Sequence, residues 1–184
     1  MKELIKYGKK MVLSGLVDSH FGNVSKRIGN NMLISLTGSM LDELEGEIIE
    51  VPVFEDSSID IIASTEIKMH REIYKRTAAL SILHGHSPFA VILSMIEKGK
   101  SIKPEDSESL YLLHEIPLVN GGVGTEKLAE NVAEKLKEHK GVIIKGHGTV
   151  AKGQTVDEAF VILSSIEHSC QLKYYVDLMK KTGN

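Results

Sequence analysis

Between Thr77 and Ile96 the chain carries no Asp, Glu, Lys or Arg, and His84-Gly85-His86-Ser87-Pro88 stands in the middle of that stretch. A charge-free run of about twenty residues is long enough to cross a bilayer as a helix. Two imidazoles followed by Ser-Pro at the midpoint argue against one, because polar groups and a missing N–H are costly there. Strand, turn, then helix fits better. Ser81 to His86 reads as a buried strand, Ser87 as an N-cap and Pro88 as the first helical residue, where proline is tolerated. Side chains alternate faces in an extended segment, so His84 and His86 point the same way. Gly146-His147-Gly148 supplies a third imidazole from far along the sequence. Three histidine nitrogens make the ligand set of a catalytic metal site that keeps one position open for water or substrate. A His-x-His pair taken alone is as readily incidental.

The rest of the chain divides into short elements. Leu4, Ile5, Met11, Val12 and Leu16 recur at helical spacing and predict an amphipathic N-terminal helix. Val24 to Arg27 and Met32 to Leu36 alternate around Gly29-Asn30-Asn31, which predicts a hairpin whose Gly and Asn take positive φ. Glu47 to Phe54 is a third strand, and Pro52 places it at an edge or bulge. A helix opens at Ser64-Thr65-Glu66, and another spans about Thr125 to Lys137. Gly141 to Lys145 and Thr149 to Lys152 are short strands around the third histidine. Thr155 and Glu158 form a capping box before a helix reaching about Met179. Strands joined by hairpins, without strict βαβ alternation, predict one domain over 1–184. It is an α/β fold: a three-layer α/β/α domain with a central mixed, largely antiparallel sheet.

Composition excludes several function classes. With 184 residues, 42% hydrophobic and 26% charged, the chain suits one soluble globular domain. A net charge of -3 leaves no basic footprint for nucleic acid. Charges interrupt the N-terminus before an apolar signal core forms, and a single cysteine, Cys170, suits the cytoplasm. Cys170 and the methionines at 32, 40, 69, 95 and 179 read as packing residues.

Four polar segments stand beside the predicted strands and helices: Gly22-Asn23-Val24-Ser25, Thr37-Gly38-Ser39, Ser64-Thr65-Glu66 and Gly146-His147-Gly148. Small hydroxyls, Asn and Gly can aim donors at one anion, and a helix N-terminus adds partial positive charge. The same residues also serve ordinary turns and caps. Glu66, in a first helical turn, is either a partner of the helix dipole or a general acid/base beside a metal. A Schiff-base reading would need a buried lysine, and Lys145 is the one placed suggestively. His70 reads as a core residue or one that backs the site from behind, and His20 is a candidate for the pocket wall.

As an ordered set over nearly the whole chain, these segments resemble the class II aldolase/epimerase family. By that resemblance His84, His86 and His147 are zinc ligands, with other divalent transition metals equally suited to imidazole. Glu66 is the catalytic acid/base and also a metal ligand in the resting enzyme. Gly22, Asn23, Thr37, Gly38, Ser64 and Thr65 form the pocket for the phosphate of a small sugar phosphate. The implied reaction is reversible cleavage of L-fuculose 1-phosphate, or a related ketose 1-phosphate, to dihydroxyacetone phosphate and L-lactaldehyde. Epimerisation of L-ribulose 5-phosphate and dehydration of methylthioribulose 1-phosphate are the alternatives, and an adducin-like module without activity is the non-enzymatic one. The resemblance further implies a cytoplasmic C4 homotetramer with active sites at subunit interfaces. Its aldolase branch takes a proton-donating tyrosine from the neighbouring subunit, and Tyr111 lies in the matching region.

Overall fold

A computed structural model describes residues 1–182. Helix α1 (Lys2–Leu13) precedes the hairpin of β1 (Asn23–Ile28) and β2 (Asn31–Ser35), then β3 (Ile48–Pro52) and a 3-10 turn over Ser58–Ile62. Next come α2 (Ile67–Arg76), β4 (Ser81–Gly85), α3 (Pro88–Ile96), β5 (Ser101–Ile102), α4 (Ser107–Leu113) and β6 (Ile116–Val119). The chain continues with α5 (Glu126–Lys135), β7 (Gly141–Ile144), β8 (Gly148–Gly153) and α6 (Val156–Thr182). The strands form one sheet in the order β3-β2-β1-β4-β8-β7-β6-β5. Every pairing is antiparallel except β6 with β7. The mixed, largely antiparallel α/β sheet is thus the expected one, and Pro52 closes the edge strand β3.

Helices cover both sheet faces. On one, Leu4 and Met11 of α1, Leu93 of α3, Leu113 of α4 and Ile162 of α6 pack on Val24, Leu83 and Ala151. On the other, Ile73 of α2 and Val132 of α5 pack on Ile34, Ile82 and Val150. Both faces of β4 are therefore buried, with Ile82 and Leu83 each fully covered. A one-residue slip would exchange these faces, so the register of β4 is strongly set, and with it the direction of His84. Among the described residues no helix is long and apolar enough to cross a membrane.

Several local expectations are corrected. Only Gly29 of the hairpin turn has positive φ, at 60°, the glycine-first pattern of a two-residue turn. Ser87 is the N-cap of α3 but makes no capping bond; its Oγ donates to the Leu16 carbonyl at 3.4 Å. The orphan N–H groups of Phe89 and Ala90 donate instead to the two oxygens of Glu167 on α6, each at 2.9 Å. Glu158 accepts from the Gln154 N–H at 2.7 Å, so only the Thr155 half of the expected capping box forms. Met32 and Met69 are core residues, whereas Met95 and Met179 are more than 70% exposed and Met40 is also exposed. Cys170 is fully buried, and burial pushes its thiol up to about 12, as suits a packing residue.

Candidate metal centre

The register of the sheet assembles the site. Asn23, the first residue of β1, pairs with His84 near the end of β4, and His84 pairs with Val150 of β8. Paired residues share a face, so Asn23 and His84 both point toward the layer that holds α2. His86 follows the end of β4, and His147 stands in the turn between β7 and β8. Close approach of the two chain segments makes this possible. A Cβ on Gly148 would lie 2.4 Å from the Gly85 carbonyl oxygen and 3.0 Å from His84 Cε1, so only glycine fits there. Glu66 occupies the N-cap position of α2 without a side-chain capping bond, and Ser64 Oγ accepts its backbone N–H at 3.3 Å. Ser64 is thus two residues before the cap rather than the cap itself.

All three predicted imidazoles meet. Their ring centroids are 4.8 to 5.0 Å apart, and one nitrogen from each falls within 4.8 Å of the others. Phe21 stacks on His86 with centroids 5.3 Å apart. Desolvation, then the neighbouring imidazoles, pushes His86 down to about 4 and also lowers His147. Neutral rings with free lone pairs are the form a metal needs.

His84 Nδ1 lies 3.0 Å from the Thr149 carbonyl oxygen. A carbonyl only accepts, so Nδ1 carries the hydrogen and the Nε2 lone pair faces the site. Nε2 is 3.1 Å from Glu66 Oε2, and His147 Nε2 is 4.0 Å from Glu66 Oε1. Glu66 is 5% exposed and His84 fully buried. Two buried lone-pair-bearing atoms at that distance repel unless a cation or a proton lies between them. Glu66 Oε1, His84 Nε2 and His147 Nδ1 also have no hydrogen-bond partner. The donor set therefore fits a divalent cation held by the three histidines, with the Glu66 carboxylate at its side. Burial alone would raise the Glu66 pKa. Against it, the neighbouring His84, the Asn23 hydrogen bond, and His147 and His70 act to lower the value, and together they hold the carboxyl below its ordinary range.

Beside the histidines opens a pocket whose wall includes Gly22, Asn23, Thr37, Gly38, Ser64 and Thr65, every residue expected to hold phosphate. Among the described residues its wall carries no Lys or Arg; the donors it offers are hydroxyls, backbone N–H groups and the N-terminus of α2. Asn23 has a second role beside its place in the wall. Its Nδ2 donates one hydrogen to Glu66 Oε2 at 2.8 Å and its Oδ1 accepts from His70 Nε2 at 2.5 Å, which leaves its second N–H for the pocket. The candidate His20 lines the pocket, as does Ser39 of the Thr37-Gly38-Ser39 segment, and Phe21, Leu36 and Val123 are additions that residue type alone does not mark. Tyr111 stands outside the pocket of its own chain, 85% exposed on α4. Lys145 donates to the Glu97 carbonyl at 3.1 Å and does not line the pocket, which removes the Schiff-base alternative from this site.

Comparison with known proteins places this geometry. Residues 2–174 match the family model described as class II aldolase and adducin N-terminal domain. An L-fuculose phosphate aldolase of Methanococcus maripaludis (strain C7) is 30% identical over 161 residues, 86% of this chain and 87% of that protein. A methylthioribulose-1-phosphate dehydratase of Methylococcus capsulatus is 32% identical over 191 residues, 96% of this chain and 90% of that protein. The crystal structure of L-fuculose-1-phosphate aldolase from Thermus thermophilus superposes with a TM-score of 0.93 at 30% identity, covering 100% of this chain and 96% of that one. The chain belongs to the class II aldolase and adducin N-terminal domain family.

Proposed function

We propose that this protein is a metal-dependent aldolase. It splits a ketose 1-phosphate, L-fuculose 1-phosphate in the first instance, into dihydroxyacetone phosphate and L-lactaldehyde. The observation that carries the reading is the buried Glu66 carboxylate 3.1 Å from the free lone pair of His84, in a pocket walled by small hydroxyls and glycine. A divalent cation, zinc in the first instance, held by His84, His86 and His147, with Glu66 in reach as a further ligand, supplies a Lewis acid for the carbonyl and hydroxyl oxygens of the sugar. Cobalt, iron or nickel would suit the same imidazoles.

The chain's own residues do the rest. Gly22, Asn23, Thr37, Gly38, Ser64 and Thr65 take the phosphate and so set which carbon lies at the histidines. In the cleavage the bond between carbons three and four breaks, and its electron pair stays with the phosphate-bearing fragment. The net proton movement is from the hydroxyl on carbon four to carbon three. Glu66 is placed to deliver that proton, because its carboxylate borders both the histidines and the pocket. The exposed apolar residues Phe21 and Val123 at the pocket rim fit closure by a neighbouring copy, consistent with a homotetramer.

The dehydratase relative makes loss of water the rival outcome. Phosphorus and proton NMR of L-fuculose 1-phosphate, L-ribulose 5-phosphate and methylthioribulose 1-phosphate, each incubated with zinc-loaded protein, separates the reactions. Dihydroxyacetone phosphate and lactaldehyde from the first substrate support the proposal. Inversion at carbon four of the second, or loss of water from the third, with L-fuculose 1-phosphate left intact, would overturn it.

A further inference from the structure

Helix α2 lies along β1 with nearly matched repeats. Four helical residues advance about 6 Å and two strand residues about 6.7 Å. Glu66, His70 and Tyr74 on the helix side therefore interdigitate with Asn23 and Ser25 on the strand. The contacts run without a break. Tyr74 Oη is 2.7 Å from Ser25 Oγ, and Ser25 Oγ is 2.6 Å from His70 Nδ1. His70 Nε2 is 2.5 Å from Asn23 Oδ1, and Asn23 Nδ2 is 2.8 Å from Glu66 Oε2. All five residues are buried, with Ser25 and His70 fully so.

The direction of every bond follows from the carboxylate end. An ionised carboxylate only accepts, so Asn23 turns its amide nitrogen toward Glu66. Asn23 Oδ1 then faces His70 and only accepts, which puts a hydrogen on Nε2. The ring is wholly buried and no carboxylate touches its nitrogens, which favours the neutral form. Nδ1 is then an acceptor. Ser25 donates to it, and Tyr74 donates to Ser25. Each hydrogen points toward Glu66, and reversing one member leaves a buried group unpaired.

We propose that His70, Ser25 and Tyr74 are positioning residues that lock the amide of Asn23, and through it the Glu66 carboxylate, in one orientation. Asn23 Oδ1 is anchored by His70, so the angle at which its Nδ2 meets Glu66 is set from the far side of the amide. The functional part of the proposal rests on Glu66 being the proton carrier; the bond directions do not.

The test pairs a spectroscopic readout with kinetics on full-length protein. Long-range proton–nitrogen correlation spectra of 15N-histidine-labelled, zinc-loaded protein report which His70 nitrogen holds hydrogen. The expected result is hydrogen on Nε2 alone, becoming a mixture of tautomers in Ser25→Ala. His70→Leu should lower kcat on the order of 10- to 100-fold, with KM and bound zinc unchanged. His70→Gln, which keeps an N–H for Asn23 Oδ1, should recover most of that loss. Hydrogen on Nδ1, or on both nitrogens, would overturn the proposal. So would wild-type kcat in His70→Leu, or equal losses in the Leu and Gln variants. If His70→Leu does not fold, Ser25→Ala decides alone: a lowered kcat with a mixed tautomer supports the relay, and no change in either sinks it. The tautomer is read without substrate. Failure to cleave any ketose 1-phosphate would remove the aldolase reading but leave the bond directions standing, whereas a wrong tautomer in an active aldolase removes the relay alone.

Discussion

Glu66→Gln exchanges one carboxylate oxygen for an amide nitrogen and removes one charge, with little change of shape. Asn23 Nδ2, at 2.8 Å, and His84 Nε2, at 3.1 Å, both face the same oxygen, Oε2. An amide oxygen in that place keeps the Asn23 bond and leaves the new nitrogen on the Oε1 side, toward His147 Nε2 at 4.0 Å. The substitution ends the desolvation of a charge at a residue only 5% exposed, but also weakens the bond from Asn23. Metal-free Glu66→Gln should therefore melt close to the parent. The three imidazoles are untouched, so close to one zinc per chain should bind, with weakened affinity. Turnover should collapse, because a positioned proton carrier contributes roughly 10²- to 10⁴-fold, or about 3–5 kcal/mol of barrier. Steady-state release of dihydroxyacetone phosphate, measured on protein whose zinc content is quantified by elemental mass spectrometry, decides the matter. Near wild-type kcat at full zinc occupancy would refute the role of Glu66 in proton transfer. Loss of zinc in parallel with activity would instead make it an indispensable ligand.

Three other outcomes follow from the same geometry. His84→Ala and His147→Ala should each abolish stoichiometric zinc binding and turnover while the chain still folds, as read by equilibrium dialysis and circular dichroism. Gly148→Ala should lose zinc and about 1–3 kcal/mol of stability in denaturant titration, because its new methyl would meet the Gly85 carbonyl and the His84 ring. Metal-free protein should lose stability as pH falls. Burial pushes His70 from 6.5 to about 3, so between those values the unfolded chain binds a proton that the folded chain refuses, and stability rises with pH. His70 alone would contribute up to ~5 kcal/mol across that window, and His86 and His147 act in the same direction. A melting temperature flat between pH 6.5 and 4 would contradict this.

The parts of the fold legible in the sequence are those where one period dominates. Ser81 to Gly85 is apolar on both faces and ends at Ser-Pro, so its strand and the following helix are readable, as is the common direction of His84 and His86. The segment from Glu97 to Val119 is not. β5 is two residues long, β6 carries Pro117 within its four, and α4 ends at His114 in a positive-φ conformation (58°) that no local signal announces for histidine. The three histidines and the polar part of the pocket wall are legible as an ordered set that resembles the family, since each segment alone equally suits a turn or a cap; the apolar wall residues Phe21, Leu36 and Val123 carry no such signal. Glu167 as the cap of α3 is hidden, since its partners lie 77 and 78 residues away. The Tyr74-to-Glu66 relay is hidden for a related reason. Glu66, His70 and Tyr74 at spacing four, and Asn23 and Ser25 at spacing two, are both visible in the sequence. Their meeting depends on α2 packing along β1. Methionine exposure escapes the sequence because hydrophobicity does not say which helix face or loop tip a residue occupies.

The most direct test of a histidine-held metal driving carbon–carbon cleavage is phosphorus NMR of L-fuculose 1-phosphate with zinc-loaded and chelator-stripped protein side by side. Dihydroxyacetone phosphate should appear only in the zinc-loaded sample, and return to the stripped one when zinc is added back. Equal cleavage in both samples would contradict the metal's role, and intact substrate in both would contradict the aldolase assignment for this sugar.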